Sequence, residues 1–455
     1  MNGQSDTIAA IATAPGAAGI AIIRISGPES LAVADRIFGC RGDPPSRRAA
    51  RSLVHGNIKA SDQIVDDVML LIMRSPHSYT REDVVEIQCH GGHISAQRIL
   101  ETVLNQGVRM AEPGEFTKRA FLNGRIDLVQ AEAVLDLIQA QSERSAQAAI
   151  EQLEGALSSS FNEIYDRALR ACADLESSLD FSEDDEPLEL VPGVVRELQV
   201  TKNMMKRMIQ TWEEGHLLRE GALVVISGRP NVGKSTLMNA LLGKDRAIVS
   251  PIAGTTRDTI EETVILRGIP IRLVDTAGLR TTTCPIEDDG VRRAMHQMQM
   301  ADLHLHILDS SKPLTSEDYA TLGGLDKCRT LVIINKTDLG NAISLQDLTH
   351  NHVVYTQLIT GKGVSDIRAN IIDMLDISSN GPPRALISER HRQILTKSTD
   401  ELEATIGILS SRHQDSIILA TSQLRHCLNE MGQITGKVYH DELLNSIFSR
   451  FCIGK

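Results

Sequence analysis

Aromatic residues are scarce in this chain: they make up 3% of its 455 residues, with a single Trp. This scarcity argues against a surface of stacking platforms such as those that read single-stranded RNA bases. An excess of basic residues is also missing, since 47 Lys and Arg stand against 59 Asp and Glu, for a net charge of -12. The chain is therefore not a generally basic nucleic-acid binder, and any RNA contact must use a local patch.

Long apolar runs are missing as well, so we expect no membrane span. The Ala/Gly/Ile-rich stretch from Ile8 to Ile23 has no basic leader, contains Pro15 and continues directly into Arg24, which favours a strand–turn–strand over a signal peptide. The 7 cysteines include no C-x-x-C pair, as is typical of a reduced, cytoplasmic protein. A chain of 455 residues is expected to form about two to four domains.

The most informative stretch is Gly228–Thr236, which reads G-R-P-N-V-G-K-S-T. It lies between an apolar run that favours a buried strand, Ala222–Ser227, and a predicted helix that starts at Thr236. A strand, then G-x-x-x-x-G-K-S, then a helix is typical of a phosphate-binding loop, whose glycines let backbone N–H groups point at phosphate oxygens. Lys234 is predicted to reach the β- and γ-phosphates, and the Ser235 hydroxyl to hold Mg2+.

Three further nucleotide motifs accompany this loop. Asp275–Gly278 (D-T-A-G) follows a largely apolar run, where a nucleotide hydrolase places a carboxylate toward Mg2+ and a glycine amide toward the γ-phosphate. Asn335–Asp338 (N-K-T-D) follows the apolar run Leu331–Ile334, and a carboxylate there accepts two hydrogen bonds from guanine but not from adenine. Gly254–Asp258 (G-T-T-R-D) lies between them, with Thr256 placed to complete the Mg2+ shell. The sequence therefore predicts GTP binding.

Hydrophobic spacing divides the chain into segments. Residues 1–120 alternate apolar strands with helical stretches, which predicts an α+β domain, and helical spacing then continues over 121–216. The nucleotide motifs lie within 217–382, a predicted α/β P-loop domain, and residues 383–455 return to helical spacing. The P-loop domain is thus predicted to be inserted into one all-α domain, to whose helices nucleotide-dependent movement would pass directly. The strands predicted in the first segment are Ile20–Ile25, Val68–Met73 and Val84–Gln88.

The hydrolytic apparatus has a gap in its sequence. Many GTPases place a glutamine after D-T-A-G to orient the attacking water, whereas this chain has Leu279, which cannot hydrogen-bond. The following loop offers Glu287, Asp288 and Asp289 instead. The residues alone leave two readings open, a catalytic carboxylate or an exposed acidic loop.

Several segments carry a resemblance to a known family. The phosphate loop, I-A-G-T-T-R-D and D-T-A-G-L-R resemble those of bacterial GTPases of the Era/TrmE group. The remaining segments are similar to the MnmE (TrmE) family of tRNA-modification GTPases; they are Pro15–Gly27, Ser78–Asp83, Gln88–Gly92, Pro113–Asn123 and the terminal Phe451–Lys455. The resemblance covers the whole chain. It implies that 1–120 is a folate-binding, dimerising domain and that 217–382 is a G domain within a helical domain.

The resemblance also implies roles for residues of the G domain. Family members hydrolyse GTP when two G domains meet, with K+ in the role that an arginine finger has elsewhere. The K+ ligands implied are Asn231, Ser250, Ile252 and Thr255, the Mg2+ ligands are Ser235 and Thr256, and the catalytic residues are Glu287, which orients water, with Lys234, Thr256 and Gly278. The GTP-binding residues expected are Asn231, Val232, Gly233, Lys234, Ser235, Thr236, Ser250, Pro251, Ile252, Ala253, Gly254, Thr255, Thr256, Asp275, Thr276, Ala277, Gly278, Asn335, Lys336 and Asp338.

Chemistry on tRNA, by the same resemblance, needs an FAD-containing partner of the MnmG type, in a heterotetramer or larger complex with a homodimer of this chain. Together they would attach a (carboxymethyl)aminomethyl group at carbon 5 of a wobble uridine, using a one-carbon unit of 5,10-methylene-tetrahydrofolate. Arg24, Glu82, Arg125 and Lys455 match the family's folate pocket. A carboxylate can accept hydrogen bonds from a pterin edge, and arginines can pair with folate carboxylates. Without the resemblance, Arg24, Glu82 and Arg125 would read as surface ion pairs.

Cys452 has more than one interpretation. A C-a-a-X lipidation box fails because Gly454 and Lys455 do not fit it. The resemblance implies a functional thiol near the folate site, and an inert tail cysteine stays open.

One loop departs from the family pattern. Where S-A-K is expected before T-G-x-G, this chain has Gln357, Leu358 and Ile359. The guanine contact made there is largely from a backbone N–H, so this loop is still expected to recognise guanine. The altered side chains do not predict the nucleotide affinity.

Two other functions compete with tRNA modification. One is a GTP-dependent RNA or ribosome assembly factor without modification chemistry, and the other is a signalling switch. Folate binding by residues 1–120 would distinguish tRNA modification from both of these alternatives.

Overall fold

The chain forms two compact units. One consists of Met1–Leu135, Leu153–Lys202 and Lys397–Lys455, and the other of Asp136–Gln152 and Asn203–Thr396. The computed structural model describes residues 6–60, 63–180, 190–243, 261–275, 300–343, 348, 352–375, 387–411 and 415–455.

The first unit contains a seven-stranded sheet in the order β3-β4-β5-β6-β2-β1-β7. Neighbouring strands are antiparallel, except that β1 and β7 are parallel. The strands are β1 (Ile8–Ile11), β2 (Ile20–Ser26), β3 (Phe38–Gly39), β4 (Leu53–Ala60), β5 (Gln63–Met73), β6 (Val84–His90) and β7 (Arg109–Met110). The strand–turn–strand predicted across Ile8 to Ile23 is therefore confirmed, with Pro15 between β1 and β2.

Alternation of apolar residues gives this sheet two buried faces. Helices α1 (Ser30–Ile37) and α2 (His93–Leu104) contact one face, over a core that includes Ile25, Ile87 and Ile99. The other face has a smaller cluster of Ile8, Ala10, Ala111 and Phe116, with Tyr79 packed against it. Each large apolar side chain that is fully buried in these clusters stabilises the fold by about 1.5–3 kcal/mol.

The described helices that follow β7 in sequence and precede the second sheet are α3 (Glu115–Leu122), α4 (Leu128–Gln139), α5 (Glu143–Leu153), α6 (Ala156–Asp180), α7 (Val191–Gln210) and α8 (Trp212–Glu220). The helical spacing predicted over 121–216 includes the boundary between α5 and α6. Gly155, at a φ of 94°, separates them, because a residue in this left-handed conformation ends a helix. The acidic stretch 182–187 lies outside the described residues.

The second unit contains a six-stranded sheet in the order β13-β12-β11-β8-β10-β9. All neighbours are parallel except β9 and β10, which are antiparallel. Its elements are β8 (Ala222–Ser227), α9 (Lys234–Leu242), β9 (Glu261–Leu266), β10 (Ile269–Asp275), β11 (Leu303–Asp309), α10 (Ser316–Gly324), β12 (Thr330–Asn335), β13 (His352–Tyr355) and α11 (Val364–Met374). Apolar clusters cover both faces, as parallel sheets require, so the predicted α/β fold is confirmed.

The chain ends in three helices, α12 (Glu389–Ser410), α13 (Ser416–Thr435) and α14 (Asp441–Phe448). Helix α13 packs along α6, and α14 buries Leu444, Ile447 and Phe448 against Phe121 and Leu128. The predicted return to helices is confirmed, and with it the multidomain fold class. None of the helices in the described ranges combines the length and apolar character that a membrane crossing demands.

Candidate functional site

The phosphate loop lies between β8 and α9 and is shaped by two glycines. Gly228 has a φ of 138° and Gly233 a φ of 116°, in the region that favours glycine. A Cβ on Gly228 would lie 2.4 Å from the Ile307 carbonyl oxygen, and one on Gly233 would lie 2.5 Å from Asn335 Nδ2. Only glycine fits at either position, and the loop delivers the chain to the first turn of α9, where backbone N–H groups are available to an anion.

Lys234 lies across this loop. Its Nζ donates to the carbonyl oxygens of Gly228 and Arg229, both at 2.8 Å, and the residue is 7% exposed. Ser235 and Thr236 are exposed in the first turn of the same helix. The buried ammonium and the exposed hydroxyls are therefore arranged around one end of the helix, as binding of a phosphate–metal complex requires.

Polar residues end several neighbouring strands. Asp275 ends β10 beside Ile226 of β8, and Asp309 at the end of β11 is paired in register with Asn335 at the end of β12. Because these strands are parallel, their carboxyl ends meet at one edge of the sheet, where α/β proteins bind ligands.

Asn335 joins three loops at this edge. It is 4% exposed, and its Nδ2 donates to the Val232 carbonyl oxygen of the phosphate loop at 2.8 Å. Its Oδ1 accepts from the Leu358 N–H at 3.0 Å and lies 3.3 Å from the Thr356 hydroxyl. The loop that departs from S-A-K therefore still contacts Asn335, through a backbone amide, and Leu358 is buried.

An ion pair between Lys336 and Asp309 also holds the N-K-T-D turn. Lys336, at a φ of 63°, places its Nζ 2.7 Å from Asp309 Oδ2. Partial burial opposes ionisation of Asp309, but hydrogen bonds from Lys336 and Ser311 outweigh it and hold the Asp309 pKa below its usual value. The next acidic residue, Asp338, is exposed and free of this pair, as a carboxylate that reads a base must be.

Several other residues predicted for this site lie outside the described residues. Those outside the described residues are Ser250, Pro251, Ile252, Ala253, Gly254, Thr255, Thr256, Thr276, Ala277, Gly278 and Glu287, together with Leu279, Asp288 and Asp289. Of the candidate K+ ligands, the described one is Asn231, which is exposed in the phosphate loop at a φ of 62°. Its side-chain oxygen fits a hard cation, as does the Ser235 hydroxyl for Mg2+.

A second cluster lies on the sheet of the first unit. Arg24 Nε lies 2.8 Å from Glu86 Oε1, and its guanidinium is 5.2 Å from the Tyr79 ring centroid and 5.5 Å from that of Phe116. Arg125 is 4.7 Å from the same Tyr79 ring and donates to the Tyr79 carbonyl oxygen at 3.0 Å. Two of the predicted folate residues are thus brought together by an aromatic ring that sequence reasoning missed.

Glu82 is held by a buried ion network. Its Oε2 accepts from the Ser26 hydroxyl at 2.6 Å, and Arg119 Nη1 lies 3.2 and 3.3 Å from its two oxygens. Arg119, which is 3% exposed, also contacts Glu115 at 2.9 Å and Asp6 at 2.8 Å. Sequence reasoning missed Arg119; its only signal was its position in the Pro113–Asn123 segment.

The C-terminal tail lies on the same unit. Phe451 is buried, Cys452 is exposed, and the Cys452 carbonyl oxygen accepts from the Gly114 N–H at 3.4 Å. Lys455 is partly exposed. In the part of the chain that the structure describes, no hydrogen bond or ion pair joins Lys455 to Arg24, Glu82 or Arg125, so its assignment to their pocket stays a prediction.

The phosphate loop, Asp275 and the Asn335 turn on a parallel sheet define the chain as a P-loop GTPase. A family model described as the MnmE helical domain matches residues 128–452, and one described as the GTP-binding protein TrmE N-terminus matches residues 7–125. The chain belongs to the MnmE (TrmE) family of tRNA modification GTPases.

Relatives match along the whole chain. The tRNA modification GTPase MnmE of Lactiplantibacillus plantarum is 42% identical over 99% of this chain and 99% of its own. That of Latilactobacillus sakei is 40% identical, with the same coverage of both chains. The solved G domain of the FeoB iron transporter of T. maritima is 27% identical over 34% of this chain and 98% of its own, with a TM-score of 0.27.

Proposed function

We propose that this protein is a K+-stimulated, Mg2+-dependent GTPase that modifies the wobble uridine of tRNA together with an FAD-containing partner of the MnmG type. The product would carry a (carboxymethyl)aminomethyl group at carbon 5, built with a one-carbon unit of 5,10-methylene-tetrahydrofolate. The observation that carries this proposal is the extent of the match: relatives named as tRNA modification GTPases are similar over 99% of the chain, including the segment before the GTPase motifs.

The proposed GTPase activity gives roles to residues at the carboxyl ends of the parallel strands. Gly233 and the first turn of α9 would donate N–H groups to phosphate oxygens, while Lys234 would leave the loop carbonyls for the β- and γ-phosphates. Ser235, with Thr256 and Asp275, would hold or face Mg2+, and Asp338 would accept from the guanine edge. Bound Mg2+ and K+ would neutralise the charge that develops on the phosphates.

Two further assignments concern hydrolysis. Glu287 would orient the attacking water, because Leu279 cannot form a hydrogen bond to it. The Gly278 amide would face the γ-phosphate. Asn231, Ser250, Ile252 and Thr255 would surround K+ where two G domains meet. A homodimer joined through the first 120 residues would keep the two G domains at a high effective concentration.

Potassium dependence tests this mechanism. We expect GTP hydrolysis to be much faster in KCl than in NaCl at equal ionic strength. Replacing Glu287 by Ala should lower the rate in KCl by about 10²-fold with GTP binding retained, as for loss of a group that acts only in the transition state. Steady-state phosphate release measures both effects.

Glu317→Ala, an exposed carboxylate outside the nucleotide motifs, is the control and should hydrolyse GTP at the unaltered rate. Equal rates of the unaltered protein in the two salts would sink the cation-dependent mechanism.

The proposed folate binding rests on the cluster of Arg24, Arg125 and Tyr79. Arg24 and Arg125 contact one aromatic ring, and Glu82 is fixed nearby by Ser26 and Arg119. A carboxylate held by hydrogen bonds suits the amidine edge of a pterin, and arginines suit the carboxylates of a folate tail. Lys455 is assigned to the same pocket, and Cys452 is assigned the role of a functional thiol near it.

Removing one exposed arginine tests the pocket. Arg125→Ala is expected to weaken binding of 5-formyl-tetrahydrofolate by about tenfold, because one charge-assisted contact is lost. Arg125 is exposed, so its truncation leaves the core intact, and the equally exposed Arg98→Ala is the matched control. Titration calorimetry measures both affinities.

Unaltered affinity in Arg125→Ala would remove Arg125 from the pocket. Failure of the unaltered protein to bind any reduced folate would favour the alternative function, a GTP-dependent RNA or ribosome assembly factor.

A further inference from the structure

Arg229 is the second residue of the phosphate loop and has an unusual tether. Its Nη2 lies 2.5 Å from Oδ2 of Asp318, on the first turn of α10. Asp318 is 2% exposed, whereas the Arg229 side chain is 30% exposed. A buried carboxylate therefore holds the outer side of a loop whose inner side is expected to face phosphate.

The same carboxylate is built into the start of its own helix. Asp318 Oδ2 also accepts from the Thr315 N–H and hydroxyl, each at 2.8 Å, and the pair forms a capping box. These bonds fix the Asp318 rotamer independently of its contact with Arg229. The tether thus connects the loop to a rigid helix end rather than to a mobile surface carboxylate.

The tether leads to the group that reaches phosphate. The Arg229 carbonyl oxygen is one of the two that accept from Lys234 Nζ. Holding the Arg229 side chain therefore holds the peptide on which the Lys234 ammonium rests. When the loop is fixed in this way, less conformational freedom is lost as its N–H groups close on phosphates.

We propose that Asp318 is a positioning residue for nucleotide binding, which acts through Arg229 to keep the phosphate loop in its binding conformation. GTP and GDP both have the α- and β-phosphates that this loop would bind, so the effect should belong to ground-state affinity and not to the hydrolytic step. We rest this inference on GTP binding alone, and its outcome is independent of the potassium and folate proposals.

Asp318→Asn in the full-length protein tests the tether. Asparagine keeps an acceptor for Thr315 but loses the charge that binds Arg229. We expect the Kd of both GTP and GDP, and the KM for GTP, to rise roughly tenfold with kcat unchanged. Fluorescent-nucleotide titration and steady-state hydrolysis at fixed KCl measure the split.

Further variants separate positioning from damage to the fold. Glu317→Gln removes the neighbouring exposed charge and should keep the unaltered Kd. Thr315→Ala removes one of the two Thr315 bonds to Asp318 but keeps the Arg229 contact, so it should raise Kd much less than Asp318→Asn does. Arg229→Met should raise Kd as Asp318→Asn does, and Arg229→Lys should recover part of the loss. In the Arg229→Met background, Asp318→Asn should add nothing further.

Several results would overturn the proposal. They are an unchanged Kd in Asp318→Asn, a fall in kcat with KM unchanged, an equal rise of Kd in Thr315→Ala, and a full additional effect of Asp318→Asn in the Arg229→Met background. The last two would assign the effect to the helix cap or to general destabilisation.

Discussion

Asp338→Asn is expected to lower kcat/KM for GTP by about 10⁴-fold and to make XTP a better substrate than GTP. A carboxylate at the exposed turn after Asn335 accepts two N–H groups from guanine, and an amide there would face one of them with its own N–H. Xanthine has a carbonyl oxygen where guanine has its amino group, so the amide can donate to it. Hydrolysis of both nucleotides by the same preparation measures the switch.

The gain for XTP makes this test specific to base reading. A misfolded variant would lose activity toward GTP without gaining activity toward XTP. The same result from a folded Asp338→Asn protein would contradict the assignment of Asp338. Asp366→Asn removes another exposed carboxylate of the same unit and should leave the preference for GTP unchanged. The substituted Gln357-Leu358-Ile359 loop does not alter this expectation, because Leu358 contacts Asn335 through its backbone.

The strands and the helix around the phosphate loop were predictable because their sequence signals are local. The apolar run Ala222–Ser227 coincides with β8, and Leu331–Ile334 lies within β12. The helix after the loop begins at Lys234 rather than at Thr236, since Gly233 supplies the left-handed turn directly before it. Parallel strands buried on both faces read as continuous apolar runs, which makes them visible in sequence.

The sheet of the first unit was less visible. The predicted runs Ile20–Ile25, Val68–Met73 and Val84–Gln88 lie within β2, β5 and β6, but β3, β4 and β7 were not predicted. Two of these strands have two residues each, too few to show a period. In β4 the apolar pattern of the sequence is interrupted at Gly56, over which the Phe38 ring lies. Such strands are defined by their partners in the sheet, not by local pattern.

The ion network around Arg119 could not be predicted at all. It joins Asp6, Glu82 and Glu115, and residues 6 and 119 are 113 positions apart in sequence. A charged residue within a helical stretch reads as a solvated side chain, and only tertiary packing shows that this one is 3% exposed.

Arg119→Met is expected to destabilise the first unit by about 3–5 kcal/mol at neutral pH. Methionine fills a similar volume but removes the arginine partner of the partly buried Glu82 and one of the two arginine partners of the buried Glu115. A buried carboxylate that loses part of its charge pairing is costly. Hydrogen exchange of β2 and β6 peptides measures the loss. Trp212 fluorescence does not, because Trp212 belongs to the second unit. The exposed Arg98→Met is the control and should change exchange little.

The pH dependence of the loss identifies its cause. Burial raises the pKa of Glu115, but hydrogen bonds from Arg109, the Glu112 N–H and Arg119 outweigh it and hold the pKa below its ordinary 4.5. A depressed carboxylate pKa contributes stability above the unfolded pKa, and this stability is lost as pH falls through the folded pKa. The difference between the unaltered protein and Arg119→Met should therefore shrink below about pH 4.5. A difference that stays constant down to pH 3 would mean that Arg119 stabilises by packing alone.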